Sequence, residues 1–375
     1  MADEWRVLVA QTTTGEIVGD IRASDVPKFE RRISDPGSYT VDVYLGNGAN
    51  TAADLHEFTE TGRYSWIVAY GDYICQAGPV WTWQFSDQER KLSVSGSNVS
   101  SLFDKRILRN PHGHTAITDP SEDLILRDLS VRGLLAELVR ANLAQRGYQL
   151  PITIPEAEPG PESITYYGYD LATVWDRMTD LAERDNGSEV DFAPEFVDGG
   201  RQIRWRLDIG DPLLGDQNTG AVWDYGSVIG PIDTDVDGAT TPASRVWVKG
   251  AGEGRNLLTG VAEDPALPAA GVPGIDLVDT SHAAEQRQDL LDSYARAALQ
   301  GQRQPNSRWE TTLRIATGAT STEASAALGT WALGDAPLIA VAGHPWMPSA
   351  HYRRRVVSFA DSSPNEIRID LQPAP

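Results

Sequence analysis

Cysteine is nearly absent. Cys75 is the only one in 375 residues, which excludes an internal disulfide framework, a multi-cysteine metal site and an iron–sulfur cluster, and leaves a small core residue as its natural role. Basic residues are scarce beside acidic ones: 32 Lys and Arg stand against 53 Asp and Glu, a formal net charge of -21. That balance is unsuited to gripping a phosphate backbone, because affinity there comes from Lys and Arg neutralising phosphates. It does suit a wall past which a polyanion slides without sticking. No window approaches the roughly 20 consecutive apolar residues that a membrane-spanning helix needs. The start of the chain carries Asp3, Glu4 and Arg6 and no apolar stretch of signal-peptide length, so the protein is expected to be made and to fold in the cytoplasm.

Catalytic signatures are missing as well. There is no Gly-x-Ser-x-Gly elbow for a serine nucleophile. His56-Glu57-Phe58-Thr59-Glu60 begins like a zinc-protease helix but has Glu60 where the second histidine belongs, and it reads as a solvated helix face. His112-Gly113-His114 offers two imidazoles in a polar loop without an evident acidic or thiolate partner. Gly250-Ala251-Gly252-Glu253-Gly254-Arg255 has neither dinucleotide-binding nor Walker spacing and reads as a flexible loop. Asp191 with Glu195, or Asp208 with Asp211, could be cast as a glycosidase pair, yet among 53 acidic residues chance pairs are expected everywhere. No catalytic residue is assigned, and the protein is expected not to be an enzyme.

One motif points to a metal. Asp233-Thr234-Asp235-Val236-Asp237-Gly238 reproduces the first half of a calcium loop, with carboxylates on alternate residues and then a turn glycine. The twelfth position is Ser244 in place of the bidentate Glu, and Trp223 and Trp247 lie in strand-like flanks. An acidic, solvated hairpin tip is the competing reading. Calcium at Asp233, Asp235 and Asp237 is the single cofactor the sequence raises.

Apolar alternation marks strands over Trp5–Ala10 and Tyr39–Leu45, with Ser34-Asp35-Pro36-Gly37 as turn chemistry between them. Thr51 caps a short helix carrying Leu55 and Phe58. Strands follow near Tyr64–Tyr70, Asp72–Trp83 and Lys91–Ser95, then a short helix over Ser97–Ile107. From Val131 to Arg146, Leu134, Leu135, Leu138, Val139 and Leu143 recur at helical spacing, and Gly147 stops the run. A second helix, capped by Asp170 and running to about Arg184, would bury Leu171, Val174, Trp175, Met178 and Leu181. Strands over Glu189–Phe192 and Arg201–Ile209 flank the turn Asp198-Gly199-Gly200. Further strands are expected at Ala221–Tyr225, Arg245–Lys249, Trp309–Ile315, Arg354–Asp361 and Glu366–Leu371. Val261–Asp279 reads as a surface loop, and Ser281–Leu299 as a helix capped by Thr280 or Ser281 and stopped by Gly301.

Several of these segments, in this order and spacing, resemble the minor tail proteins of siphophages infecting actinobacteria, a baseplate-hub family. They are Arg31-Arg32-Ile33-Ser34-Asp35-Pro36-Gly37-Ser38-Tyr39; Ile74-Cys75-Gln76-Ala77-Gly78-Pro79-Val80-Trp81-Thr82-Trp83 leading into Leu92-Ser93-Val94-Ser95-Gly96 and Ser101-Leu102-Phe103-Asp104-Lys105-Arg106; and Asp191-Phe192-Ala193-Pro194-Glu195-Phe196 with Ile203-Arg204-Trp205-Arg206-Leu207-Asp208-Ile209-Gly210. The similarity runs to about residue 260 and is looser beyond. It implies an α+β multidomain fold with two tube-like antiparallel β-barrel or sandwich domains and an inserted α+β module. The domains expected are 1–107, the first tube-like domain; 108–212, the module; 213–262 with 303–375, the second tube-like domain; and 263–302, a loop-plus-helix insertion.

The resemblance further implies a structural protein of the virion tail tip, made in the host cytoplasm. It would be a homotrimer whose ring joins the tail tube to distal tip proteins and frames a channel for DNA in transit and the tape-measure protein. Longer relatives append a lytic or receptor-binding domain; this chain ends at Gln372-Pro373-Ala374-Pro375, which argues against a lytic role. Two other classes remain open: a carbohydrate-binding tail protein that recognises the host envelope, and a tail enzyme that degrades the cell wall. Among 11 Trp, Trp81, Trp83, Trp205 and Trp346 are candidate interface anchors, with core packing as the alternative for each. Arg353-Arg354-Arg355 would meet an acidic neighbour in an assembled ring, or stand solvated on a strand.

Overall fold

The computed structural model describes residues 5–45, 51–113, 116–237, 243–301, 306–315 and 326–374. Seven strands come first: β1 (Trp5–Gln11), β2 (Ile17–Ile21), β3 (Lys28–Arg32), β4 (Asp35–Tyr44), β5 (Tyr64–Tyr70), β6 (Tyr73–Ser86) and β7 (Lys91–Gly96), with helix α1 (Ala52–Phe58) after β4. The α+β module holds β8 (Leu124–Leu129), α2 (Val131–Leu143), β9 (Ile152–Thr153), β10 (Glu162–Tyr166), α3 (Val174–Ala182), β11 (Val190–Val197) and β12 (Gln202–Ile209). Next come β13 (Val222–Asp224) and β14 (Ile229–Asp237), then β15 (Arg245–Lys249), β16 (Thr259–Glu263), α4 (Ala266–Ala269), β17 (Asp276–Asp279) and α5 (Gln288–Gly301). The last strands are β18 (Asn306–Arg314), β19 (Leu338–Val341), β20 (Ala350–Ser363) and β21 (Glu366–Pro373).

The two β regions do not form separate barrels. Their strands join one 13-stranded sheet with the order β14-β18-β21-β20-β3-β4-β7-β6-β5-β1-β2, and β13 and β19 attach beside β20. Among the described residues this path has two open ends and no closure. The seam is β3 on β20, where Arg32 pairs with Ser358 and Glu30 with Ala360. Phe29 stacks edge-on against Phe359 there, ring centroids 5.9 Å apart. One apolar core, from Val9, Trp66 and Val94 through Trp223 and Trp331 to Leu371, therefore runs under both regions.

Local chemistry explains most of the elements. The Thr51 hydroxyl caps α1 by accepting the Asp54 N–H, and Ser130 caps α2 through Gly133. At α3 the expected cap shifts. Thr173 and Asp176 form a reciprocal capping box, so the cap lies three residues after Asp170, and Leu171, with φ +51°, is 55% exposed instead of buried. The Asp198-Gly199-Gly200 turn joins β11 to β12 as expected, with all eight residues of β11 in register with β12. The hairpin turn near Ser34 is also present, but it connects β4 to β3, while β1 pairs with β2 and β5. β15, expected in the second tube-like domain, is the centre of a small sheet, with β16 antiparallel on one side and β17 parallel on the other. This small sheet packs on α5 through Val246, Val248, Leu291, Ala295 and Leu299, and the stretch Val261–Asp279, expected as a surface loop, supplies part of β16, α4 and β17. α5 starts at Gln288, because the Glu285 carboxylate accepts the N–H groups of Gln286 and Arg287 and sets the turn ahead of it. Among the described residues no helix is long and apolar enough to cross a membrane.

Candidate functional site

The module sits on the outer face of β1, β5 and β6. Trp205 on β12 is fully buried against that face, and its indole N–H donates to the Ala77 carbonyl at 3.2 Å. The Asn98 amide donates to the Phe192 carbonyl at 3.0 Å, and Phe103 packs on Phe192 at 5.4 Å. Trp205 is thus a core anchor between module and sheet. Where the module meets both β regions, a cavity of about 990 Å³ opens between β6, the β11–β12 hairpin and the segment 329–333.

Buried charge holds that junction. Arg31 on β3 reaches Asp191 on β11, Nη2 to Oδ2 at 2.5 Å, with both side chains almost fully buried. Burial works against the Arg31 charge, but Asp191 and then Tyr73 raise its pKa above the ordinary arginine value. Burial pushes the Tyr73 phenol up to about 12, against the opposing pull of Arg31. On the other side, Arg355 on β20 clamps Glu189 just ahead of β11 with two guanidinium nitrogens. It also donates to the carbonyls of Gly334 and Leu214 at 3.1 and 3.2 Å. One β11 region is therefore pinned to strands from both β regions, and the pairs fix geometry at a desolvation cost of several kcal/mol per ion that the mutual attraction must repay.

In each of the two carboxylate pairs that could be cast as a glycosidase pair, at least one member is already engaged by an arginine. Asp191 is taken by Arg31, while Arg206 holds Glu195 at 3.2 Å and Asp208 at 2.6 Å. The glycine-rich stretch has a packing role: a Cβ on Gly250 would strike Leu291 of α5 at 2.5 Å, and Gly252 takes φ +99° against the Asn256 carbonyl. His56 is exposed on α1; His114 lies outside the described residues.

The acidic motif is placed in β14, an extended strand at one open end of the sheet. Asp233 stands opposite Glu310 and Asp235 opposite Arg308 on β18. Alternate residues of a strand are roughly 6.5–7 Å apart, a spread-out arrangement unlike the wrapped half-loop of a calcium site. Gly238 and the Asp237 side chain lie outside the described residues. Among those described, no group of three or more His, Cys, Asp or Glu is placed to hold a metal. The other open end, β2, exposes Asp20. Charges on unpaired edge strands repel further strand addition, which gives these carboxylates a physical purpose.

The remaining expected anchors divide. Trp81 is half-buried, donates to the Ser101 hydroxyl at 2.9 Å and lies under the Lys105 ammonium at 5.0 Å. Trp83 is 47% exposed and Trp346 82%. In the arginine triplet, Arg355 finds its acidic partner within the chain, Arg353 donates to the carbonyls of Thr219 and Ala336, and Arg354 stacks on Trp309 at 3.9 Å. Sequence reasoning did not pick out Arg31 and Glu189 as the junction's charged clamps. The available signal was Arg31 at an inward position of the alternation that puts Phe29 inside.

No protein-family model matches the chain, and no curated protein matches it. Solved structures do share its fold. The tail protein from Neisseria meningitidis MC58 superposes with a TM-score of 0.58 over 99% of this chain and 96% of that one, at 14% identity. The 43 kDa tail protein of prophage MuSo2 from Shewanella oneidensis gives 0.57 over 98% of each chain at 11% identity. The chain has the fold of these phage tail proteins along essentially its whole length.

Proposed function

We propose that the chain is a non-enzymatic structural subunit of a phage tail tip, which forms a homotrimeric hub ring between the tail tube and the distal tip proteins. The observation that carries this reading is the end-to-end fold match to two phage tail proteins, with 99% and 98% of this chain covered. The architecture supports it. The molecule spends its buried charge on locking module to sheet and presents open acidic edges, which suits a part whose task is to hold shape. The negative surface suits a passage for DNA and the tape-measure protein, which would move past without adhering.

Light scattering on the purified protein tests the reading. A species near 122 kDa, three times 40.8 kDa, is expected; 40.8 kDa at every concentration would overturn it. The same measurement with added calcium tests an ion at Asp233, Asp235 and Asp237, which a calcium-dependent mass would support.

A further inference from the structure

We propose that the ring is closed by a knob-and-socket contact, in which Trp346 of one copy seats in the apolar pocket walled by Leu45, Leu55, Trp83, Phe85 and Leu92 of the next. This inference rests on the hub-ring reading and adds the residues that would make the joint.

The knob is a structured loop. It connects β19 to β20, and the His344 ring nitrogen Nδ1 accepts the backbone N–H groups of Trp346 at 3.2 Å and Met347 at 3.0 Å. Tyr225 packs edge-on against His344 at 5.1 Å, the Tyr352 hydroxyl donates to the Pro348 carbonyl at 3.0 Å, and Met347 is buried in the main core. Everything around Trp346 is tied down, yet its own side chain is 82% exposed. An indole held out on a pre-ordered loop loses little freedom on association and brings a large apolar surface to it, which is the profile of an interface hot spot.

The socket lies on the other half of the sheet, between α1 and the β6–β7 hairpin. It is an apolar cavity of about 220 Å³ with His56 and Thr59 at its rim. A cavity of about 150 Å³ lined by aliphatic and aromatic side chains takes up benzene, so this one has room for the larger indole. Trp83 and Phe85 stand 47% and 40% exposed on its wall, leaving apolar surface that a seated ring would cover. Trp346 is too exposed to be filling the pocket of its own chain.

Three observations favour a second copy as the occupant. Knob and socket lie on different elements, so the contact is heterologous; such contacts generate rings when the rotation closes. The strand behind the knob carries the exposed His351 and the half-buried Arg353 and Arg354, while the socket helix exposes Asp54 and Glu57, an opposite-charge match that would steer encounter. Both open sheet ends carry exposed carboxylates, Asp233 and Asp235 on β14 and Asp20 on β2. Direct pairing of these two edges is disfavoured, and a side-chain joint is needed to bring the copies into place.

The test compares wild-type protein with Trp346→Ala and Phe85→Asp by light scattering across a concentration series, alongside thermal melts. Both variants are expected to melt as the wild type does at concentrations where it is dissociated, and to need on the order of tenfold or more higher concentration to reach the trimer mass. Independently, a chain with Trp346→Cys is mixed with one carrying Phe85→Cys. Under mild oxidation the pair is expected to give a disulfide-linked species near 82 kDa, twice 40.8 kDa, because Cys75 is buried and cannot compete. A trimer unaffected by either substitution, without the mixed disulfide, overturns the knob and socket and leaves the hub ring standing. A wild-type monomer at all concentrations overturns both. Loss of cell-wall binding in Trp346→Ala with an unchanged trimer mass would overturn the joint and assign Trp346 to a carbohydrate.

Discussion

The two halves of the large sheet are built on different rules. In β1, β5 and β6 successive residues enter different cores: Val7 and Val9 face the main core while Leu8 and Ala10 face the module, and Tyr64, Trp66, Val68 and Tyr70 face one way while Ile67 and Ala69 face the other. All seven residues of β5 are buried. In β18 and β21 the apolar core residues lie on one face only. Trp309 and Leu313, with Ile367, Ile369 and Leu371, pack inward, whereas Arg314 and Arg368 point to solvent. The first half is the middle layer of three and reads as an apolar run; the second is an outer wall and alternates. The module is what makes the difference, since it covers the face that would otherwise need polar residues.

The strongest way to break this comparison is a charge on each outer face. Ile67→Asp would place a carboxylate, without a partner, in the layer between sheet and module, at a cost of several kcal/mol; no cooperatively folding protein is expected in a urea titration followed by circular dichroism. Arg368→Asp, on the outer face of β21, should move stability by about 0.5 kcal/mol or less, and equal losses at both sites would refute the layer assignment. Next in size is the junction. Arg355→Met leaves the half-buried Glu189 without its cation and should cost up to about 3 kcal/mol, while the double change Arg355→Met with Glu189→Met should recover most of that loss. A double variant as unstable as the single would mean that Arg355 acts through its carbonyl contacts. Below the junction in size comes Thr173→Ala, which removes one arm of the α3 capping box for about 1 kcal/mol. Urea midpoints at unchanged slope would read it.

Much of the fold was legible where local chemistry decides it. The cap at Thr51, the stripe of α2 and the Asp198-Gly199-Gly200 turn all follow from rules that act within a few residues, whereas α2 ends at Leu143 with Ala144 as its cap, ahead of the expected stop at Gly147. What was not legible is long-range. β3 escaped notice because one of its two inward side chains is Arg31, which disguises the alternation as polar, and its cation is satisfied only by Asp191, 160 positions away. The single continuous sheet was hidden for the same reason, since the β3–β20 seam joins segments that no local pattern connects. The candidate surface was half legible. Counting Trp residues singles out Trp83 and Trp346 together with Trp205, but only tertiary packing reveals which indoles the core absorbs and which it leaves outside.

That seam also sets a schedule for making the protein. β3 finds its second neighbour only in β20, and the Phe29 N–H waits for the Asp361 carboxylate, 332 positions later. Until the ribosome has passed that point, β3 and the strands beside it are a growing chain with an unpaired flank, and loop closure over such a distance is slow. The carboxylates that guard the finished sheet ends do not guard this one. Nascent chains crowded on one message would therefore be most vulnerable to wrong pairing at β3.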